Sequence, residues 1–315
     1  MPISLRRGRV TAIRERHDAF VRLEVEGVAC VAYPTLTGPV ALEDEVLVNV
    51  QARELELGSG GFDVLYANLT RGLELAAEEG AHVMVLPYTP LQHARIHAEE
   101  AGETAASLDG MPVVCCSLHS QVAPVCAALD GLRVAYVQLA GGALPVSLSD
   151  TVRALRERGL LASTAAVAPC LDGDAQCVSA GSALLWARGG HEVAVCSVGP
   201  GIVGTGTRFG HGGLAAAEAA NAALALGGVP VVTARVSGAD ERERHRGVSH
   251  HTEAVLALVR GEAVVASEQP GDWREACEGL PLSHMGRGPD EDPDFFAAAY
   301  AAGIAARGLL SGGPT

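Results

Sequence analysis

A glycine-rich segment that follows an apolar, strand-like run is the first candidate for chemistry. Residues 199–213 read GPGIVGTGTRFGHGG and precede an alanine-rich helix. Glycines expose backbone N–H groups, and a helix N-terminus adds a positive dipole, so this segment could bind a phosphate or another anion. The anion-binding residues would be Gly199, Gly201, Gly204, Gly206 and Arg208. The alternative is a conformationally demanding loop that binds nothing.

The G-x-G-x-x-G pattern within this segment does not favour a dinucleotide site. The loop runs on to Gly213 instead of entering a helix at once. The next acidic residue after a following strand is Asp240, which is much farther away than the roughly 20 residues typical of that fingerprint.

A second candidate is the segment of residues 240–252, which contains Asp240, His250 and His251. Ser249 is a predicted helix N-cap, so both histidines lie in the first helical turn, where the dipole disfavours a charged imidazole. Together with His211 they could supply nitrogen ligands to a metal, and Asp240 an oxygen. Adjacent helical residues point about 100° apart, however, which disfavours both binding one ion. The alternative is that this segment has a structural role only, as an exposed, charge-paired loop followed by a capped helix.

Two further strand ends carry polar residues. Cys116 followed by His119 could form a nucleophile and its base, although a buried strand cysteine before a helix cap is the preferred interpretation. His119 remains a candidate acid or base. Asp172 and Asp174 could bind a cation or a ribose, but the preferred interpretation is that they cap a helix over residues 175–188.

The composition excludes several classes of function. The chain of 315 residues has a net charge of −14 and no lysine, so a Walker lysine and a Schiff-base lysine are both absent. The sequence predicts neither nucleic acid nor an anionic membrane surface as a partner, because it has no basic run beyond residues 6–9 and the mixed stretch of residues 241–246. The eight cysteines include no C-x-x-C pair and lie mostly in apolar runs. These features predict a reduced, cytoplasmic protein.

The elements that must position these residues form two predicted domains. Residues 1–57 contain short alternating strands typical of a small β-barrel, with a linker at residues 57–61. Residues 62–315 alternate apolar strands with helices, which predicts an α/β domain with a doubly wound, mainly parallel sheet. The C-terminal helix is expected to begin at Pro293, with Asp292 as its N-cap. The predicted strands of the sheet are residues 82–87, 112–117, 132–139, 162–168, 192–198 and 229–236.

Five segments in a fixed order carry a family resemblance over nearly the whole chain. They are residues 57–61, 88–92, 118–121, 199–213 and 246–252. In these segments the chain resembles an uncharacterised bacterial protein family, a domain of unknown function. The resemblance implies no activity, because none is assigned to that family.

Ligands of open α/β sheets bind beyond the carboxyl ends of the strands, where the polar candidates lie. The leading hypothesis is an enzyme acting on a small anionic substrate, with a phosphorylated compound as one option. Arg208 and Arg246 would neutralise charge, and His119, His211, His250 or His251 would transfer protons. The rival hypothesis is a non-catalytic metabolite-binding or assembly subunit. The cofactor, a bound metal and self-association of the chain are left open.

Overall fold

The structure, a computed structural model, describes residues 3–57, 60–102, 105–266 and 271–311. The chain divides into two compact units, Met1–Ala94 and Arg95–Thr315. The first unit contains a closed β-barrel, and the second contains a six-stranded sheet with helices. The predicted fold class, an α/β protein with an N-terminal barrel, is therefore confirmed.

Five strands close the barrel in the order β1-β2-β3-β5-β4. They are β1 (Leu5–Arg16), β2 (Val21–Val25), β3 (Val28–Ala32), β4 (Glu45–Asn49) and β5 (Asp63–Asn68). The long strand β1 closes the barrel because it pairs with β4 through residues 5–9 and with β2 through residues 10–16. At Gly8 a Cβ would come within 2.6 Å of Val25 Cγ1, so a glycine permits this approach. Alternate residues of β2 and β4 point into the apolar core.

The first unit reaches beyond the predicted limit at residue 57, because β5 is part of the barrel. Residues 58 and 59 of the predicted linker lie outside the described residues. The unit also contains the short helices α1 (Pro34–Thr37) and α2 (Gln51–Glu54). The prediction that residues 82–87 form a strand of the main sheet is wrong. This run contains β6 (Val83–Val85), which pairs with β7 (His93–Arg95) in a separate two-stranded sheet. Met84 is exposed there, whereas a central parallel strand needs burial on both faces.

The second unit is built on a parallel sheet with strand order β11-β10-β9-β12-β8-β13. Its strands are β8 (Pro112–Cys116), β9 (Val134–Leu139), β10 (Ser163–Val167), β11 (Ala175–Cys177), β12 (Val193–Val198) and β13 (Val229–Thr233). Five of them coincide with predicted apolar runs. The exception is β11, which lies where the sequence predicted the start of a helix.

Helices cover both faces of this sheet. They are α3 (Val122–Ala128), α4 (Asp150–Glu157), α5 (Ala180–Arg188), α6 (Ala215–Ala225), α7 (His250–Leu258), α8 (Trp273–Ala276) and α9 (Pro293–Ser311). Helices α3, α4, α8 and α9 pack on the face that contains Tyr136 and Val195. Helices α5, α6 and α7 pack on the face that contains Val137 and Cys196. Burial on both faces explains why the strands are continuously apolar.

The predicted helix over residues 175–188 is wrong in its first turn. Residues 175–177 pair with β10 as β11, and the helix begins only at Ala180. Ser179 is its N-cap, because Ser179 Oγ accepts a hydrogen bond from the N–H of Ser182. The hydrogen bonds of an edge strand therefore outweigh helix propensity over these residues.

The strand order creates a switch of direction beside β12. The chain leaves β8 and β9 towards the helices of one face, and it leaves β12 towards α6 on the other face. Because β12 lies between β8 and β9, the segments that follow these neighbouring strands leave towards opposite faces of the sheet at this edge. Beyond β13, the short strands β14 (Val236–Ser237) and β15 (Gly247–Val248) pair in an antiparallel manner.

Helix α9 begins at Pro293 as predicted and packs against α3. Asp292 does precede it, but Asp292 Oδ2 accepts hydrogen bonds from Ser237 and Arg287 instead of capping the helix. Gly303 faces α3 where the two helices touch, and a Cβ there would come within 2.6 Å of Ala128 Cβ. Among the helices of the described ranges, none is long and apolar enough to cross a membrane.

Two glycines of α9 allow a matched test of this packing. Gly303→Ala is expected to lower the free energy of unfolding by about 1–3 kcal/mol, because the added methyl group overlaps α3. Gly308 has nothing within 4 Å of a Cβ, so Gly308→Ala is expected to raise stability by up to about 1 kcal/mol. Urea unfolding measures both, and equal effects of the two substitutions would contradict the packing.

Candidate functional site

Arg235, just beyond the end of β13, holds both ends of the loop of residues 236–248. Its N–H donates to Thr252 Oγ1 at 2.9 Å, and its carbonyl oxygen accepts from the N–H of Ser249 at 2.8 Å. The loop therefore leaves and returns at one point, and the pairing of β14 with β15 closes its base. As a result, the first turn of α7 lies beside the carboxyl end of the sheet.

Four histidines meet at this edge and are called here the histidine cluster: His211, His245, His250 and His251. His211 precedes the 3₁₀ turn that leads into α6, and His245 ends the 3₁₀ turn Glu243–His245. The other two begin α7, with Ser249 as the N-cap, as predicted. The cluster thus joins the end of β12 to the end of β13.

The imidazole rings of the cluster are in mutual contact. The rings of His211 and His251 stack with centroids 3.6 Å apart and planes 12° apart. The centroids of His250 and His251 lie 4.6 Å apart, and His245 lies 4.8 Å from His250 and 4.9 Å from His251. His211, His245 and His251 are each less than one-tenth exposed, while His250 is partly exposed.

Hydrogen bonds fix two of these rings and leave the other two open. His245 Nδ1 bonds Ser249 Oγ at 2.7 Å. Arg235 Nη1 donates to His251 Nδ1 at 3.2 Å, so the proton of a neutral His251 lies on Nε2. Both ring nitrogens of His211 and Nε2 of His250 are buried with no hydrogen-bond partner in the described part of the chain. Such atoms cost roughly 1–3 kcal/mol each unless a ligand or water satisfies them.

The environment keeps the cluster neutral. Burial, together with nearby arginines and histidines, lowers the pKa of His251 to about 2 and that of His245 to about 3. Burial also lowers the pKa of His211 and His250. At neutral pH the four imidazoles therefore offer lone pairs without positive charge.

An ionic network adjoins the histidine cluster and is called here the arginine network: Arg235, Arg242, Arg287, Asp240 and Asp292. Asp240 Oδ2 accepts from Arg242 Nη2 at 2.8 Å and from Arg235 Nη2 at 3.3 Å. Arg287 Nε donates to Asp292 Oδ2 at 3.2 Å, and Arg287 Nη2 lies 3.6 Å from Asp240 Oδ2. The hydrogen bond from Arg242 is the main reason that the pKa of Asp240 is well below its usual range.

The arginine network carries more positive than negative charge. Three guanidinium groups face two carboxylates, which leaves one positive charge in excess. Burial lowers the pKa of Arg235, but only to about 10, so the group stays charged at neutral pH. Arg235 Nε and Arg287 Nη2 are buried donors without a hydrogen-bond acceptor among the described residues. The network can therefore accept a further anion.

The structure brings together four of the five predicted catalytic residues. His211, His250 and His251 touch one another, and Asp240 is joined to His251 through Arg235. His119 makes different contacts. Its Nε2 bonds Ser149 Oγ at 2.6 Å and its Nδ1 bonds the carbonyl oxygen of Val198 at 3.2 Å. Both nitrogens of His119 thus tie the ends of β8 and β12 to the N-cap of α4.

The glycine loop presents His211, and packing explains several of its glycines. At Gly199 and Gly212 a Cβ would overlap the carbonyl oxygens of Ala143 and Gly141. The loop folds back on itself, with a bridge between Gly204 and His211. Gly201 has a φ of 70°, a left-handed conformation that favours glycine. Gly206 meets nothing within 4 Å of a Cβ.

The predicted charged partners of the loop, Arg208 and Arg246, lie at the surface. Arg208 is exposed and stacks on the ring of Phe209, 5.0 Å from its centroid. Arg246 is exposed as well. The preferred interpretation that Asp172 and Asp174 cap a helix is wrong. Asp172 accepts hydrogen bonds from Ser147, and Asp174 accepts them from Thr164. Asp172 thereby ties the segment before β11 to the turn before α4, and Asp174 ties it to β10.

Sequence reasoning missed several residues of the site. His245 and Arg242 lie in the candidate segment of residues 240–252, and Arg235 lies at the end of a predicted strand. These positions could have identified all three as site residues. Arg287 and Asp292 come from beyond α8, and no pattern in the sequence connects them to β13. A surface pocket of about 310 Å³ lies elsewhere, beside Trp273 and Cys277 of the α8 region.

Comparison with known proteins agrees with the resemblance read from the sequence. The chain belongs to the DUF3866 family, a protein family of unknown function whose model matches residues 29–277. No curated protein matches the chain. The matched residues include the whole histidine cluster, but the segment that holds Arg287 and Asp292 lies beyond them.

Asp240 is expected to be essential for the stability of the site. Asp240→Asn leaves the buried guanidinium of Arg235 without its counter-charge and should lower the free energy of unfolding by about 3–5 kcal/mol. Asp290 pairs with Arg274 on the surface, so Asp290→Asn should change stability by less than about 0.5 kcal/mol. Urea unfolding of both variants tests this, and a mild effect of Asp240→Asn would show that the buried pair is dispensable.

His119 is expected to make stability depend on pH. Burial lowers its pKa from 6.5 to about 4, so between these values the unfolded state binds more protons and stability falls as the pH falls. The share of His119 is on the order of 2 kcal/mol between about pH 8 and about pH 5. The free energy of unfolding of the wild type and of His119→Asn is measured at both pH values. The variant should lose less stability than the wild type, by that amount, and an equal loss in the two proteins would contradict this account.

Proposed function

We propose that this DUF3866 protein is an enzyme that acts on a small anionic substrate at the histidine cluster. The arginine network holds the negative charge, and His211 or His250 transfers a proton. One observation carries the proposal: buried imidazole nitrogens and guanidinium donors without hydrogen-bond partners occur beside an excess positive charge. A folded protein seldom keeps such groups together unless a ligand satisfies them.

The charge pattern explains how an anion would activate the histidines. Neutral imidazoles can accept protons, but a pKa far below 7 makes them weak bases. A bound anion favours the protonated imidazole, so it raises the pKa of its neighbours towards neutrality. Substrate binding would thereby tune His211 and His250 for proton transfer only while the substrate is present.

The small size of the substrate follows from burial. His211, His245 and His251 are nearly closed from solvent, while His250 is partly exposed and forms the accessible side of the cluster. A ligand of a few atoms, such as a phosphate or carboxylate group, fits that situation better than an extended molecule. The same features also suit a non-catalytic subunit that binds a metabolite, which is the second candidate.

A reducing, cytoplasmic setting is part of the proposal. All eight cysteines are buried free thiols. Burial raises the pKa of Cys116 to about 12 and raises that of Cys196 as well, so these thiols are unreactive. This supports an environment in which disulfides do not form.

Anion binding is tested by thermal melts with inorganic phosphate at roughly 10 mM, an excess over a weak site. Phosphate is expected to raise the melting temperature of the wild type. Arg287→Gln should abolish this rise, because it removes the excess charge, and the exposed Arg208→Gln is the matched control that should keep it. A rise lost in Arg208→Gln and kept in Arg287→Gln would assign the anion to the glycine loop instead.

Catalysis is tested with the same proteins. The wild type is incubated with a panel of small phosphorylated and carboxylated metabolites, and mass spectrometry follows their conversion. We expect a substrate that the wild type and His82→Gln convert and His250→Gln does not, since His82 lies in the first unit. Phosphate stabilisation without any conversion would favour the non-catalytic subunit, and no stabilisation by any anion would overturn both candidates.

A further inference from the structure

Three members of the histidine cluster come close enough to bind one ion. One ligand atom each of His245, His250 and His251 lies within 4.8 Å of the other two. The three residues fall within one short stretch, in which the 3₁₀ turn Glu243–His245 and the first turn of α7 flank the N-cap Ser249. The bend between the two turns overcomes the divergence of adjacent histidines that the sequence suggested.

We propose that His245, His250 and His251 form a binding site for one divalent transition-metal ion, such as Zn²⁺. Zinc binds imidazole nitrogens at about 2.1 Å in tetrahedral geometry, which places the nitrogens about 3.4 Å apart. Rings whose donor atoms already lie within 4.8 Å need to close by at most about 1.4 Å. This proposal goes beyond the proposed function, because a metal can bind here whether or not catalysis occurs.

The hydrogen bonds leave donor atoms for the metal. His250 Nε2 is buried without a partner. His245 uses Nδ1 for Ser249, which orients the ring and leaves Nε2 for an ion, as metal-binding histidines usually do. His251 receives the N–H of Arg235 at Nδ1, so binding through Nε2 requires Arg235 to release it. Arg235 then keeps its ion pair with Asp240.

The ligand set and the nearby charge decide which metal fits. Mg²⁺ and Ca²⁺ need several oxygen ligands, and no carboxylate belongs to this group of three histidines. The positive charge of the arginine network further opposes an ion that is held only by electrostatic attraction. Zn²⁺, Co²⁺ and Ni²⁺ form strong bonds with imidazole and can tolerate that environment. Three protein ligands would also leave a fourth position open, as in catalytic zinc sites.

Metal binding is tested on the full chain after treatment with a chelator. Isothermal titration with Zn²⁺ should show one site, and Co²⁺ should give the visible absorption of a tetrahedral complex. His245→Ala and His250→Ala should each weaken Zn²⁺ binding at least about 100-fold, the upper range for losing an outer partner of a metal ligand. Mg²⁺ should produce no binding heat.

His191→Ala is the matched control, because His191 is buried with an unpartnered Nε2 but lies outside the cluster. It should bind Zn²⁺ like the wild type. Circular dichroism checks that each variant folds. If an alanine variant does not fold, the conservative His250→Gln is measured in its place. The absence of Zn²⁺ binding by the wild type, or unchanged binding by folded His245 and His250 variants, would overturn the proposal. Both outcomes are independent of the phosphate experiment.

Discussion

A buried ion pair between Arg235 and Asp240 is the interaction on which the rest of the site depends. Both side chains are almost completely withdrawn from water, at 3% and 2% exposure. Placing these charges there costs several kcal/mol unless each has partners. Arg235 meets that condition by bonding Asp240 and His251, while its backbone holds Ser249 and Thr252. The position of α7, and with it three histidines, therefore follows from one residue at the end of β13.

The histidine cluster keeps its arrangement because the apolar packing around it stabilises the fold. Stacked neutral imidazoles with unpartnered nitrogens add little to folding and some of them oppose it. The sheet, by contrast, is buried on both faces by helices, and each fully buried valine or leucine contributes roughly 1.5–3 kcal/mol. The apolar core thus offsets the cost of a polar site in which several buried nitrogens lack a hydrogen-bond partner among the described residues.

The sequence predicted the fold class and only part of the site. Physical reasons explain which elements and residues it identified and which it did not. Continuous apolar runs identify β8, β9, β10, β12 and β13, because two-sided burial leaves a strong signal. The edge strand β11 has only three residues, so local patterns do not reveal its pairing with β10. His211, His250 and His251 follow strand ends, where parallel topology brings them together. The contributions of Arg287 and Asp292 depend on where the chain returns after α8, which local patterns do not encode.

The most direct test of this account is the protonation of His251, observed by ¹⁵N NMR of the histidine rings as a function of pH. The account predicts a neutral His251 with its proton on Nε2 and an Nδ1 that accepts a hydrogen bond, unchanged from about pH 8 to about pH 5. A His251 that titrates near its ordinary value of 6.5, or that carries its proton on Nδ1, would show that Arg235 does not organise the cluster.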